Sequence, residues 1–344
     1  MSSARAGAWA SEWAHARVRQ LGTSLLLCAL SCFVTSLAVA ASSETPDPDV
    51  PEIEVSVERP GPNLWKVSRG DHFVWIMGTL DPLPKGINWR ATEVEAVLGE
   101  VKQLVPSRPD LDVSAGPITL VRTYMAWRRA KKIPGNETLK DWLSPELYAR
   151  WTALRVRYKA KDNDIEKLVP VLAASKLYAR ALDISKLSAS GDGIEKTIIR
   201  LARKHNVKVR QTEVKIEDPR SLVAQFGEMP RERQVACLEA MVARLEHDMD
   251  TMKSQANAWA MGDVASLRKL PYPKEIEVCK DMFETSEVMR KMIADTNAGW
   301  DASVEGALDG SGKPTLAVKP IYELLGPNGT IEKLRARGFK VEGP

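Results

Sequence analysis

Histidine and cysteine are both scarce in this chain, four of each in 344 residues, and that scarcity narrows its chemistry. His72, His205 and His247 lie far apart, in a turn or near helix ends, without ligand spacing, so they read as solvated imidazoles rather than metal ligands. Cys28 and Cys32 fall within the first 40 residues, and Cys237 and Cys279 alone follow. Two cysteines without a histidine cluster do not make a zinc site. No internal repeat or sustained heptad is present, which excludes solenoids and coiled coils. No glycine-rich loop supports a phosphate cradle, so Asp192-Gly193 reads as a helix cap. Strong net charge is also missing. Of the formal +4, Arg5, Arg17 and Arg19 against Glu12 account for two, and no nucleic-acid partner is expected from the rest.

Only one long apolar run occurs, Leu21 to Leu37, preceded by Arg17 and Arg19 and followed by Ala38-Val39-Ala40. That order is the pattern of an export signal over residues 1–40, with cleavage after Ala40. The alternative is an uncleaved anchor, the one way in which this chain would touch a membrane. Cys32 lies in a poor lipidation context. A periplasmic or secreted location follows from the signal reading. Residues 41–62, rich in Pro, Ser, Asp and Glu, read as a flexible linker, and one domain is expected over 63–344. In an oxidising compartment Cys237 and Cys279 form one disulfide or remain two buried thiols; a bridge closing a loop of about 40 residues contributes about 4 kcal/mol in the chain-entropy treatment.

With 44% hydrophobic and 27% charged residues the chain has enough apolar surface for a substantial core. Leu64–Val67 and Phe73–Met77 flank Ser68-Arg69-Gly70-Asp71 as a hairpin. The second strand runs into Gly78-Thr79-Leu80-Asp81, which puts an acid at a strand end. Trp89–Leu98 has helical spacing, and Val101–Val105 reads as a strand broken by Pro106 and Pro109. From Ile118 to about Ala260 the pattern is helical. Thr119–Lys132 sets Leu120, Tyr124, Trp127 and Ala130 on one face opposite Arg128, Arg129, Lys131 and Lys132, a basic face read as solvated. Val207–Arg210, Thr315–Val318 and Phe339–Val341 read as strands, and Pro230–Met249, Ser286–Ala307 and Thr330–Arg337 as helices. The fold class is therefore α/β (α+β), a mixed β-sheet core with a large helical lobe.

The order of several short segments resembles the TraB/GumN family, related to the Tiki metalloproteases and more distantly to erythromycin-esterase-like and ChaN-like proteins. The carriers are Leu64-Trp65-Lys66-Val67, Val74–Thr79, Trp89–Val97, Gly193-Ile194-Glu195, Thr212-Glu213, Gln225, Trp259-Ala260-Met261-Gly262-Asp263, Asn297-Ala298-Gly299-Trp300, Leu325-Gly326-Pro327 and Leu334–Phe339. The resemblance implies two Gly-x-x-His motifs with a glutamate between them as a metal or catalytic centre. Here Asp81 replaces the first histidine, Ser107 the glutamate, and Tyr322 or Glu323 the second histidine. Thr296-Asn297 replaces an Arg-Asn pair. An aspartate is a charged oxygen ligand and a poor base at neutral pH where imidazole is neither.

Two function classes remain open on these residues. One is an exported, non-catalytic binding or scaffold protein of the bacterial cell envelope, a pseudoenzyme with no cofactor and no identified partner. The other is a divergent metal-dependent hydrolase or protease, in which Asp81, Glu213 and Glu323 hold a divalent cation through oxygens. They differ in whether those carboxylates converge.

Overall fold

The computed structural model describes residues 61–344 apart from 86–88, 90, 189–193, 248, 270–273 and 327. The export signal over 1–40, the linker up to residue 60 and the Asp192-Gly193 cap lie outside the described residues. No helix among the described residues is long and apolar enough to cross a membrane.

Strands β1 (Leu64–Arg69) and β2 (His72–Thr79) form the expected hairpin, extended to Arg69 opposite His72. Gly70, at φ 58°, takes the first turn position, where the tight connection of twisted strands needs positive φ. Strands β3 (Gln103–Val105), β5 (Lys208–Val209), β7 (Thr315–Pro320) and β8 (Lys340–Glu342) complete a six-stranded sheet ordered β5-β3-β7-β2-β1-β8. The pairs β5–β3, β3–β7 and β7–β2 are parallel, whereas β1 runs antiparallel to both neighbours. The four parallel strands thus share one carboxyl edge. Burial on both faces explains their near-continuous apolar sequences: Ile76, Leu104, Leu316, Ala317 and Val318 are fully buried.

Helices α1 (Thr92–Glu100) and α6 (Ile194–Lys204) contribute Val94, Val97, Leu98, Ile194 and Ile198 to the core around this sheet, α10 (Val264–Lys269) contributes Val264, and α12 (Glu287–Asp309) adds Trp300, Val304 and Leu308. Short helices α13 (Ile321–Leu325) and α14 (Thr330–Ala336) close the return from β7 to β8. A second core belongs to the helical lobe. It gathers side chains from α3 (Leu139–Trp142), α4 (Pro145–Arg157), α5 (Pro170–Ile184), α8 (Arg231–His247), α9 (Met249–Ala260) and α11 (Lys274–Phe283), with Trp151, Leu177 and Leu238 among the most buried. Cys237 on α8 and Cys279 on α11 are joined in a disulfide. Arg244 and Glu275, on the same two helices, form an ion pair with both side chains almost wholly buried.

Two local expectations are corrected. Pro106 and Pro109 end one strand, but Asp110–Val113 forms another, β4, parallel to β6 (Glu213–Ile216) in a separate two-stranded sheet. Its partner lies about a hundred residues away; β4 is largely exposed while β6 buries Val214 and Ile216, and segments of only four residues each, Asp-Leu-Asp-Val and Glu-Val-Lys-Ile, alternate too briefly to mark a strand pair by themselves. The helix expected over 119–132 is α2 (Pro117–Ala130), but its apolar residues do not share one buried face. Trp127 packs against Phe226 of α7 (Pro219–Gly227) at 5.1 Å between ring centroids, whereas Leu120 and Tyr124 are exposed.

Candidate functional site

The site grows from the carboxyl edge of the parallel strands, where open α/β sheets present their ligands. Gly78 and Thr79 of β2 pair with Lys319 and Pro320 of β7, and Val105 of β3 pairs with Ala317. Each strand therefore delivers its following residues to one place. Asp81, Ser107 and Tyr322 all line a pocket with Thr79, Arg108, Glu195 and Pro320. Two buried indoles fix the strand ends that frame it. Trp259 Nε1 donates to the Gly78 carbonyl at 2.9 Å, and Trp300 Nε1 donates to the Val318 carbonyl at 3.0 Å.

Glu195, in the first turn of α6, organises the pocket floor. Its Oε1 accepts from the backbone N–H groups of Ser107 at 2.8 Å and Arg108 at 3.2 Å, and its Oε2 accepts from Ser107 Oγ at 2.8 Å. The helix N-terminus favours the negative charge it carries. Arg108 then places its guanidinium between two carboxylates, with Nη2 at 3.7 Å from Asp81 Oδ2 and Nε at 3.9 Å from Glu195 Oε2. Tyr322 closes the opposite wall and donates from its hydroxyl to Gln255 Oε1 of α9 at 2.9 Å. The lobe thereby reaches the sheet edge. Tyr178 of α5, in the lobe core, has its phenol pKa pushed up by burial; the neighbouring Arg244 charge opposes that shift and the Asp81 charge adds to it.

The other proposed ligands are elsewhere. Glu213 is the exposed first residue of β6, opposite Asp110 of β4. Glu323 lies 3.7 Å from Lys319 and lines a separate groove. Asp81, Glu213 and Glu323 therefore do not form one ligand set, and no three His, Cys, Asp or Glu side chains gather as metal ligands among the described residues. The residues present do not fit a metal. The Arg108 guanidinium already places a positive charge beside Asp81 and Glu195, and a dication would compete with it for the same carboxylates.

Two cavities with different capacities adjoin at Tyr322. The pocket holding Asp81 encloses about 20 Å³, room for roughly one water molecule. The neighbouring groove encloses about 720 Å³ and lies between α12, α13 and α14. Lys319, Lys333 and Arg337 project into it alongside Asp301, Glu305 and Glu323, and the Lys319 ammonium sits 4.3 Å from the Trp300 ring centroid.

A family model described as the TraB/PrgY/gumN family matches residues 63–343. The chain belongs to the TraB/PrgY/gumN family. No curated protein and no solved structure matches it. In this TraB/PrgY/gumN-family chain, the resemblance implied Asp81, Ser107 and either Tyr322 or Glu323, of which Asp81, Ser107 and Tyr322 line one pocket, but it assigned no role to Arg108 or Glu195. Glu195 stood in a quoted segment, and Arg108 directly follows Ser107. Nothing local tells that the two meet, because the contact spans 87 positions between a strand exit and a helix start.

Proposed function

We propose that this TraB/PrgY/gumN-family chain is an exported protein of a bacterial cell envelope that binds or scaffolds instead of catalysing, with a periplasmic or secreted destination set by a signal cleaved after Ala40. The observation that carries the reading is the Arg108 guanidinium beside Asp81 and Glu195. It neutralises the acids at the sheet edge, in a pocket of about 20 Å³ that is too small for an organic substrate. The neighbouring groove of about 720 Å³ has the capacity of a small-molecule site, and it is where a bound partner would be received.

The second reading is a divergent metal-dependent hydrolase, favoured by the convergence of Asp81, Ser107 and Tyr322 on one pocket. Elemental analysis of the purified protein, followed by calorimetric titration with Zn²⁺, Mn²⁺ and Ca²⁺, separates the two. The binding reading expects no stoichiometric ion and identical titrations for the native chain and Asp81→Ala. A stoichiometric metal lost in Asp81→Ala would overturn it in favour of the hydrolase.

A further inference from the structure

Helix α2 exposes what an amphipathic helix of a globular protein normally hides. Successive residues advance about 100° around a helix, so Leu120, Tyr124, Val121, Met125 and Ile118 form one continuous arc on its outer side. All five are exposed, between 47% and 69%. The opposite side is already occupied: Thr123 is buried, and Trp127 and Ala130 pack with the lobe core near Phe226. The outward arc is therefore surplus to the fold.

Its charge is one-sided. Between Asp112 and Glu137 the chain has no acid, yet it carries Arg122, Arg128, Arg129, Lys131 and Lys132. Arg122 and Arg129 border the apolar arc, and Arg128 falls within it one turn on, where a long side chain can lift its guanidinium to the rim. A broad apolar face edged by cations, without acids, is the pattern of a helix that lies in a lipid interface. A second copy of this chain fits poorly, since a two-fold contact through this face would set two such cationic edges together.

We propose that α2 is an interfacial helix that seats this protein on an anionic lipid surface, with Ile118, Val121, Tyr124 and Met125 at the headgroup boundary and Arg122, Arg128 and Arg129 on lipid phosphates. Each cation near such a surface strengthens attachment about fivefold. This contact is independent of the sheet-edge pocket and stands whether or not that pocket is catalytic.

The test is hydrogen–deuterium exchange of the full chain, titrated with vesicles of phosphatidylcholine alone or mixed equally with phosphatidylglycerol. The readout is protection of residues 117–130, which separates this helix from any contribution of the N-terminal apolar run. Protection is expected with the anionic vesicles only. Arg122→Gln with Arg129→Gln should raise the half-protecting lipid concentration about 25-fold. Val121→Ser with Tyr124→Ser, both exposed positions, should abolish protection while the circular dichroism spectrum stays unchanged, and Ile118→Ser with Met125→Ser provides a second such pair. Equal protection by both vesicles, or by neither, would overturn the proposal. So would protection without lipid that grows with protein concentration, which identifies a second copy. Protection of the free chain that disappears on deleting the acidic residues 41–58 would identify that segment as the occupant and overturn it as well.

Discussion

Arg108 Nη2 stands 3.7 Å from Asp81 Oδ2, while the backbone N–H of the same arginine donates to Glu195 at 3.2 Å. One residue thus ties the acid after β2 to the acid that opens α6. The two halves of this link differ in strength. The guanidinium contacts are long and partly exposed, at 27% for Arg108 and 23% for Asp81, which limits such a pair to about 1 kcal/mol at most. Glu195 accepts from two backbone donors and a hydroxyl, and hydrogen bonds to a charged group are each worth about 1.5–3 kcal/mol. Arg108→Ala should lower stability by less than about 1 kcal/mol, and Glu195→Ala by about 2–4 kcal/mol. Urea unfolding followed by circular dichroism measures both. An Arg108→Ala cost equal to that of Glu195→Ala would mean that the guanidinium holds the loop as strongly as the carboxylate does.

Trp259 and Trp300 should behave as anchors of the sheet edge. Their indole N–H groups reach carbonyls on adjacent parallel strands, Gly78 of β2 and Val318 of β7. Replacing either with Phe keeps one aromatic ring, removes part of the buried indole volume together with its N–H, and leaves a buried carbonyl short of its donor. Each change is expected to cost about 1–3 kcal/mol. The midpoint of urea unfolding should fall with its slope unchanged, because the native fold and its buried area persist. A stability within about 0.3 kcal/mol of the native chain, below the usual cost of a lost buried partner, would show that the indole N–H groups do not anchor the strand ends.

The sheet core was largely legible because its signals are local. Leu64–Val67 and Phe73–Met77 alternate around a glycine turn, and Thr315–Val318 is a short apolar run before a helix. The resemblance also pointed to Asp81, Ser107 and Tyr322 or Glu323, positions that follow strands sharing a carboxyl edge. What stayed hidden depends on contacts between distant segments. Arg108 and Glu195 meet only because the segment leaving β3 reaches the first turn of α6, and β4 exists only through β6. For α2, periodicity described an apolar pattern, but whether a pattern is covered depends on the neighbour supplied, and α7 covers one side only. The same limit placed Glu213 and Glu323 in a ligand set that the fold keeps apart.

Gly78 sits where β2 passes beneath α13, and a Cβ built there would lie 2.3 Å from Ile321 Cδ1 and 3.3 Å from Leu324 Cδ1. Ile321 is itself buried at 3% exposure, so its terminal methyl has little room to turn aside. Gly78→Ala should cost about 1–3 kcal/mol through overpacking. Ile321→Val removes the offending methyl at about 0.5–1.5 kcal/mol on its own. The double variant is expected to be more stable than the sum of the two single losses, by at least about 0.5 kcal/mol, since one clash is shared between them. Strict additivity in a double-mutant cycle of thermal unfolding would show that the strand shifts away from the helix.

The helical lobe is cross-linked twice between the same two helices. Cys237 bonds to Cys279 across a separation of 42 residues, and Arg244 pairs with Glu275. Going seven residues along α8 and four back along α11 keeps both contacts on facing sides, which makes the pair antiparallel. The two links stabilise by different routes. The disulfide restricts the unfolded chain, and a loop of this size corresponds to about 4 kcal/mol. The ion pair acts in the folded state, where removing one partner strands a buried charge at about 3–5 kcal/mol. Cys237→Ala with Cys279→Ala should therefore lower stability by about 4 kcal/mol while near-ultraviolet circular dichroism of the folded protein stays native. Glu275→Ala in the disulfide-bonded chain should cost a similar amount but loosen that near-ultraviolet signal, because Arg244 also lies 5.7 Å from the Tyr178 ring. Loss of the native near-ultraviolet signal in the cysteine variant instead would mean that the bridge holds the two helices in register in the folded state and does not act only on the unfolded chain.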